Sequence, residues 1–374
     1  MKRAVLISCF DWYKARLKTV RELLIEQGYD VLILEADFDH IKKIPISIRY
    51  SECTYIHVPP YKGNISYGRI RSHLSFGKQV ADFICELKPE LLYCQVPPNN
   101  TANECRKYKI RNPETKLIVD IIDLWPESMP LERIKRTPPI NVWRNWRDDA
   151  IKVADHVFTE CDLYKEKLKS VLDPSKTSTL HLYKEQTEEE RKLVEEIIRR
   201  GKTDDVVRFA YLGSMNNIID IEGICEVIQR TIEQGKTCEL HAIGDGESRE
   251  KFEGAVKATG CQTHFYGPVF DELEKIRILT PCDYAFNMMK GDIAVGLTIK
   301  SIDYLSYDLP LINNIRGDTW SYINSYNIGN NIDDKSFIEI CSINRHNIHS
   351  FFLEYLSKAV FVDGVEKAFN MIKV

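Results

Sequence analysis

The chain has 374 residues, of which 44% are hydrophobic and 28% charged, an ordinary globular balance that excludes a disordered, collagen-like or coiled-coil protein. Lys and Arg number 51 against 55 Asp and Glu, a net charge of −4, so there is no global basic field and a general nucleic-acid binder is disfavoured. At roughly 150 residues per domain the length predicts two domains or three.

The N-terminus is basic, but its apolar run AVLISCF is short and is followed at once by Asp11 and Lys14. It reads as a first strand and not as a signal peptide. ARLKTVRELLIEQG then reads as an amphipathic helix ended by Gly28, and YDVLILEAD as the second strand. Further strands are expected at TYIHV, ELLYCQV, KLIVDIID and DHVFTE, with helices near 67–87 and 141–153 between them. Residues 183–204 are charged and helix-prone, after which the pattern restarts with VVRFAYLGS, CELHAIG, THFYG, DYAFNMM and LPLIN. Helices are expected near 220–234, 247–258, 271–279 and 299–307, and at the end near 334–343 and 346–373. Strand–helix alternation predicts a parallel sheet covered on both faces. The reading is α/β, with two doubly wound, Rossmann-like domains: 1–190, 205–345, and a terminal helical segment 346–374 that packs back on the first. No run of about 18 apolar residues occurs, so no membrane span is expected. The eleven Cys form an odd set without a C-x-x-C pair, which predicts reduced thiols and a cytoplasmic compartment.

Four segments of the second half carry chemistry. Gly213-Ser214 ends a strand, where Gly admits a close backbone approach and Ser can reach a phosphate. Gly244-Asp245-Gly246 follows the next strand and opens a helix; by itself it equally describes a turn. HFYGPV follows. In the fourth, Gly296-Leu297-Thr298 runs into a helix whose first N–H groups suit a diphosphate. Lys300 could neutralise phosphate charge there, and Asp303, three residues on and on the same face, could accept from ribose hydroxyls. A surface Lys–Asp pair is the alternative reading of those two residues.

The order and spacing of these segments resemble the donor-binding half of GT-B glycosyltransferases, especially the family-4 type of bacterial capsule and surface-polysaccharide enzymes. The resemblance covers residues 206–330; in the first half it is carried by IIDLWPES and DHVFTE. It implies two domains facing a cleft, the nucleotide sugar on the second and the acceptor on the first. It also implies donor contacts at Gly213, Ser214, Gly244, Asp245, Gly246, Gly296, Leu297, Thr298, Lys300 and Asp303. Two departures stand out. Glu222-Gly223 occupies the place of a Lys-Gly pair, and Val295 the place of the first Glu of an E-x7-E pattern, whose second place is Asp303. A K-x-x-[ED]-Y pattern of some GT-B enzymes fits Lys300 to Tyr304.

On the acceptor side Asp123 is the first candidate for proton acceptor and Glu127 the second, with Asp11 and Asp120 also near strand ends. A loop or helix-capping carboxylate is the alternative for each. No His spacing suggests a metal site, and no cofactor is expected beyond the nucleotide-sugar substrate. Residues 131–147 combine Arg133, Lys135, Arg136, Arg144 and Arg147 with Trp143 and Trp146, which suits the headgroup layer of an anionic membrane, or else packing within the protein. Arg69, Arg71 and Lys78 with Tyr67 and Phe76 form a second such group. The expected activity is a metal-independent, retaining hexosyltransferase. It moves a sugar from a UDP-sugar to a glycan or polyprenyl-linked acceptor at the inner face of the plasma membrane. The alternatives are a non-catalytic GT-B subunit and a nucleotide-sugar epimerase; no nucleic-acid partner is expected.

Overall fold

Two parallel sheets organise the computed structural model, which describes residues 2–10, 14–64, 66–129, 137–291, 295–333 and 343–374. Residues 1–181 with 361–374 form one compact unit and 182–360 a second.

The first unit carries β1 (Lys2–Ser8), β2 (Tyr29–Ala36), β5 (Cys53–Ile56), β6 (Leu91–Val96), β7 (Lys116–Ile121), β8 (His156–Thr159) and β9 (Thr177–Thr179). They lie in the order β5-β2-β1-β6-β7-β8-β9, and a small hairpin of β3 (Phe38–Asp39) and β4 (Ile44–Pro45) stands apart. Its helices are α1 (Lys14–Glu26), α2 (Tyr67–Leu87), α3 (Asn99–Arg111), α4 (Pro138–Val153) and α5 (Asp162–Lys167). Val5, Ile7, Leu92, Cys94 and Val119 of the strands meet Phe76, Val80, Ala102, Cys105 and Ala150 of the helices in one buried cluster. Continuous apolar strands of this kind need cover on both faces.

The second unit opens with α6 (Glu188–Arg200), started by a capping box of Thr187 and Glu190. Its strands are β10 (Val207–Leu212), β11 (Cys238–Ile243), β12 (Gln262–Gly267), β13 (Tyr284–Asn287), β14 (Leu311–Asn313) and β15 (Gly329–Asn331), in the order β12-β11-β10-β13-β14-β15. One face packs Phe209, Leu240 and Phe286 on α7 (Ile221–Glu233) and α8 (Arg249–Ala258). The other packs Ala210, Ile243 and Leu311 on α9 (Glu272–Leu279), α10 (Ile299–Ser306) and α12 (Arg345–Tyr355). α11 (Asp318–Tyr326) precedes β15, and α13 (Lys358–Ile372) ends the chain.

Several details differ from the sequence reading. The units meet at 181/182 and not near 190, and the single helix expected over 346–373 is two. Arg345–Tyr355 belongs to the second unit, and residues from 361 onward belong to the first. α3 went unpredicted because NNTANECRKYKIR reads as polar; yet Asn99, Asn100, Thr101 and Asn103 are buried. Most of the helix expected near 334–343, and Asp11, lie outside the described residues. The ten cysteines described are free thiols. Among the described residues no helix is long and apolar enough to cross a membrane.

Candidate functional site

In each sheet the chain starts at an inner strand, builds outward on one side and then crosses to the other. Such a reversal leaves a crevice beyond the carboxyl ends of the two strands that flank it. In the second unit the flanking strands are β10 and β13. The loop after β10 and the loop after β13 are stitched together by an Ile219–Met289 bridge and by Lys290 N donating to Ile218 O at 2.8 Å.

α10 starts at this point. Thr298 caps it, its hydroxyl accepting from Ser301 N at 3.1 Å and donating to Asn287 Oδ1 at 2.8 Å. Asn287 in turn donates to Asn313, and Asn313 to Asn331, across three in-register strands. This buried amide ladder fixes the start of α10 to the sheet. Thr319 N and Oγ1 both donate to Gly296 O, at 3.0 and 2.8 Å, and hold the preceding loop. Thr298 N donates in return to the Ser301 hydroxyl at 3.2 Å, so the cap engages the Thr298 and Ser301 N–H groups and leaves those of Ile299 and Lys300 without a partner inside the helix.

Lys300 does not point into solvent. Its ammonium lies 5.1 Å from the centre of the Tyr211 ring, and burial lowers its pKa to about 8. Among the described residues no carboxylate pairs with it. An unpartnered, partly desolvated cation beside free N–H groups is arranged for an anion.

Asp303 shares the helix but not the environment of Lys300, so the two do not form a surface pair. Lys184 Nζ donates to Asp303 Oδ1 at 2.7 Å and also holds Glu272, whose carboxylate accepts from Tyr307. Among the described residues Asp303 Oδ2 has no partner. The pull of Lys184 on Asp303 was not readable from the sequence, because LYKEQ lies 119 positions away.

The glycines serve two purposes. A β-carbon on Gly244 would collide with the Gly213 carbonyl, and one on Gly246 with the Met215 carbonyl. Gly213 N donates to Ile243 O at 3.0 Å, and Met215 N to Asp245 O at 2.8 Å. The Gly244-Asp245-Gly246 turn is thus shaped by packing against the neighbouring loop; Asp245 Oδ1 accepts from Gly246 N. Gly213, at φ 124°, has nothing in the space a β-carbon would take, and Ser214 is exposed beside it.

In the first unit the reversal falls between β1 and β6. An aromatic and basic cluster gathers there that the sequence did not reveal as one group. The Arg69 guanidinium lies 4.4 Å over the Trp125 ring, and His73 stacks on Trp125 at 5.9 Å. Phe10 meets His40 edge-on at 4.6 Å, and His40 Nδ1 bonds the Tyr61 hydroxyl at 2.6 Å. Burial lowers the pKa of His40 to about 4 and that of His73 well below its usual value, so both are neutral near pH 7. Among the described residues His73 Nε2 is buried without a partner.

Of the two candidate acceptor bases, Asp123 sits at this cluster, whereas Glu127 is paired with two arginines. Asp123 Oδ1 accepts from Leu124 N and from the Ser128 hydroxyl, and Oδ2 from Trp125 Nε1 at 2.5 Å. Burial raises its pKa against these bonds. Glu127 is locked between Arg144 and Arg147, both at 2.7 Å; burial opposes its charge, but the Arg147 contact prevails and lowers its pKa. It is a counter-ion that braces the loop. Asp120 is likewise structural: fully buried, it takes Arg16 bidentately at 2.6 and 2.7 Å.

The same contacts bear on only part of the stretch 131–147 that was expected to face lipid. Residues 131–136 lie outside those described. In the remainder Arg147 is 1% exposed, Arg144 is tied to Glu127, and Trp143 packs against the core. As for metals, Glu239, His241 and His264 place ligand atoms within 4.8 Å of one another. They lie on β11 and β12 short of the strand ends, and Glu239 already accepts from Arg208 Nε at 3.0 Å.

No family model and no curated protein matches the chain. Solved structures do. HepE from Anabaena, in complex with UDP and glucose, aligns over 99% of this chain and 100% of its own, with a TM-score of 0.64 at 9% identity. The lipopolysaccharide outer core galactosyltransferase WaaB aligns over 99% of each chain with a TM-score of 0.62 at 12% identity. A sucrose-phosphate synthase from Thermosynechococcus elongatus covers 100% of this chain and 94% of its own, with a TM-score of 0.62 at 13% identity. With both sheets doubly wound and parallel, and with full-length likeness to these structures, the chain has the GT-B fold.

Proposed function

We propose that the protein is a glycosyltransferase that takes a nucleotide-diphosphate sugar, UDP-linked, on its second unit. The acceptor is a glycan or lipid-linked glycan bound on the first, and the product is a surface polysaccharide. The observation that carries this reading is Lys300: a cation without an anionic partner among the described residues, at the capped start of α10, at the strand-order reversal. The bound UDP and glucose of HepE support the choice of donor.

In this reading the diphosphate lies against the N–H groups of Ile299 and Lys300 and the Lys300 ammonium, with Ser214 able to contribute its hydroxyl. As the sugar–phosphate bond breaks, negative charge grows on the leaving diphosphate. Donors already held in place by Thr298 and the asparagine ladder stabilise it without reorganising. Asp303 Oδ2 accepts from the ribose. On the first unit Asp123 Oδ2 keeps a lone pair for the acceptor hydroxyl, with Arg69 and Trp125 as its walls. The proposal includes retention of configuration and no catalytic metal.

A thermal-shift panel of UDP-, ADP- and GDP-sugars tests the donor. A ligand at 100 times its Kd stabilises by roughly 2.7 kcal/mol, so UDP-sugars should raise the melting temperature by several degrees. They should also be hydrolysed slowly to UDP in the absence of acceptor. Failure of every nucleotide sugar to stabilise the protein at millimolar concentration would refute the reading.

A further inference from the structure

In the second unit, edge strand β12 runs parallel to β11 with His264 directly opposite His241. Side chains two apart on a strand share a face, so Glu239 and His241 of β11 lie on the face that carries His264. Ligand atoms of the three side chains lie within 4.8 Å of one another, and among the described residues no other three His, Cys, Asp or Glu side chains form such a group. Sequence spacing gave no sign of it, because only strand pairing makes His241 and His264 neighbours.

The geometry suits a metal ion. His241 Nε2 is 3.3 Å from Glu239 Oε2, roughly the separation of two ligands on a tetrahedral zinc with bonds of about 2.0–2.1 Å. The His264 ring stacks on that of His241 at 4.7 Å and 21°, and a side-chain rotation brings its nitrogen to the same point. Tyr266 supplies an outer partner. The ladder shifts between Ala242 and Ile243, and beyond Phe265 the Tyr266 hydroxyl reaches His241 Nδ1 at 2.8 Å. With the proton on Nδ1 donated to that hydroxyl, the Nε2 lone pair is free for the ion.

Charge favours a cation as well. Arg208 donates to Glu239 at 3.0 Å, but it also donates to both Asp204 oxygens, at 3.0 and 2.8 Å. One guanidinium thus faces two carboxylates, and negative charge is left over at Glu239. The ligands are not sealed off: the Glu239 and His241 side chains are 17% and 15% exposed, and His264 is half-buried.

We propose that Glu239, His241 and His264 bind a divalent transition-metal ion, zinc before others, which clips edge strand β12 to β11. Two imidazoles and a carboxylate suit zinc, nickel or cobalt and not magnesium or calcium, which take oxygen ligands. Water fills the fourth position. The site lies on the β12–β11 side of the sheet, away from the β10/β13 reversal that carries Lys300, so the ion holds an otherwise unpaired edge strand and takes no part in sugar transfer. Nothing in it rests on the glycosyltransferase reading.

Calorimetric titration of the full chain with zinc chloride, after bound metal is stripped with EDTA, tests it. Wild type should bind zinc at this site and melt at a higher temperature with zinc, and should not respond to magnesium. His264→Ala should bind at least about 100-fold more weakly, the upper end of what loss of an outer partner costs. So should Glu239→Gln, which can still accept from Arg208. Tyr266→Phe should lose about tenfold. A cooperative melt of each metal-free variant shows that it is folded; should His264→Ala fail to fold, Glu239→Gln and Tyr266→Phe carry the test. Cobalt in place of zinc should give the visible absorption of nitrogen and oxygen ligation without thiolate charge-transfer bands, which separates this site from zinc on the free cysteines. Wild type that ignores zinc at micromolar concentration overturns the proposal. So do folded variants that bind zinc as tightly as wild type, and a cobalt spectrum of thiolate ligation alone.

Discussion

Replacing Lys300 with Met should make the empty protein more stable and the nucleotide weaker, two effects that a merely structural lysine would not combine. Burial lowers the Lys300 pKa from 10.5 to about 8. At about 1.4 kcal/mol per unit, that shift corresponds to about 3 kcal/mol of penalty on the folded cation. The side chain is only half-buried, and solvent screening reduces this to about 1–2 kcal/mol. The sign follows from linkage. The folded state holds the proton less tightly than the unfolded state, so the penalty is complete below pH 8 and disappears as pH rises past 10.5. Met matches the length of the lysine stem and packs on Tyr211 without a charge to desolvate. Scanning fluorimetry at pH 7 should then show a melting temperature about 2–5 °C higher for the variant. Calorimetry should show UDP weakened by about 1.5–3 kcal/mol, the loss of a charge-assisted bond. A variant that melts lower than wild type and binds UDP equally well would refute both the burial argument and the phosphate role.

Wild-type UDP affinity should weaken above pH 8, by up to about tenfold per unit as Lys300 loses its proton; the Met variant should show no such slope in calorimetric titrations. Thr298→Val removes the helix cap and the bond to Asn287, and should cost about 1–2 kcal/mol in urea denaturation and weaken UDP. Thr298→Ser should restore both. Gly244→Ala places a β-carbon against the Gly213 carbonyl and should destabilise by at least about 2 kcal/mol. Gly213→Ala meets open space and carries only the strain of its positive φ, about 1–2 kcal/mol.

The strands of both sheets were readable as apolar runs such as LLYCQV and FAYL, because a strand covered on both faces needs no alternation. Helix α2 spans the residues expected for it, 67–87, and the structure shows Ser66 capping it. α3 was not, because its buried Asn side chains satisfy one another's loops: Asn99 Nδ2 donates to Trp125 O and Trp143 O, and Asn100 Nδ2 to His73 O. Lys300 was identified from its place at a helix start. Its contact with Tyr211, 89 positions earlier, is a tertiary fact that spacing does not encode. The same holds for the Lys184–Asp303 bond and for the Arg69–Trp125–His73 cluster. Trp and Arg in the 131–147 stretch suggested a surface, yet composition does not tell which way a side chain turns. Arg147 turns inward to Glu127, while Tyr67 and Arg71 turn out.

A crystal structure of the full chain with UDP tests the central claim most directly. The account predicts diphosphate oxygens at about 3 Å, hydrogen-bond distance, from Lys300 Nζ and from the N–H groups at the start of α10, with the ribose on Asp303. A diphosphate bound elsewhere on the molecule, or a site that stays empty at saturating UDP while the protein remains folded, would contradict it.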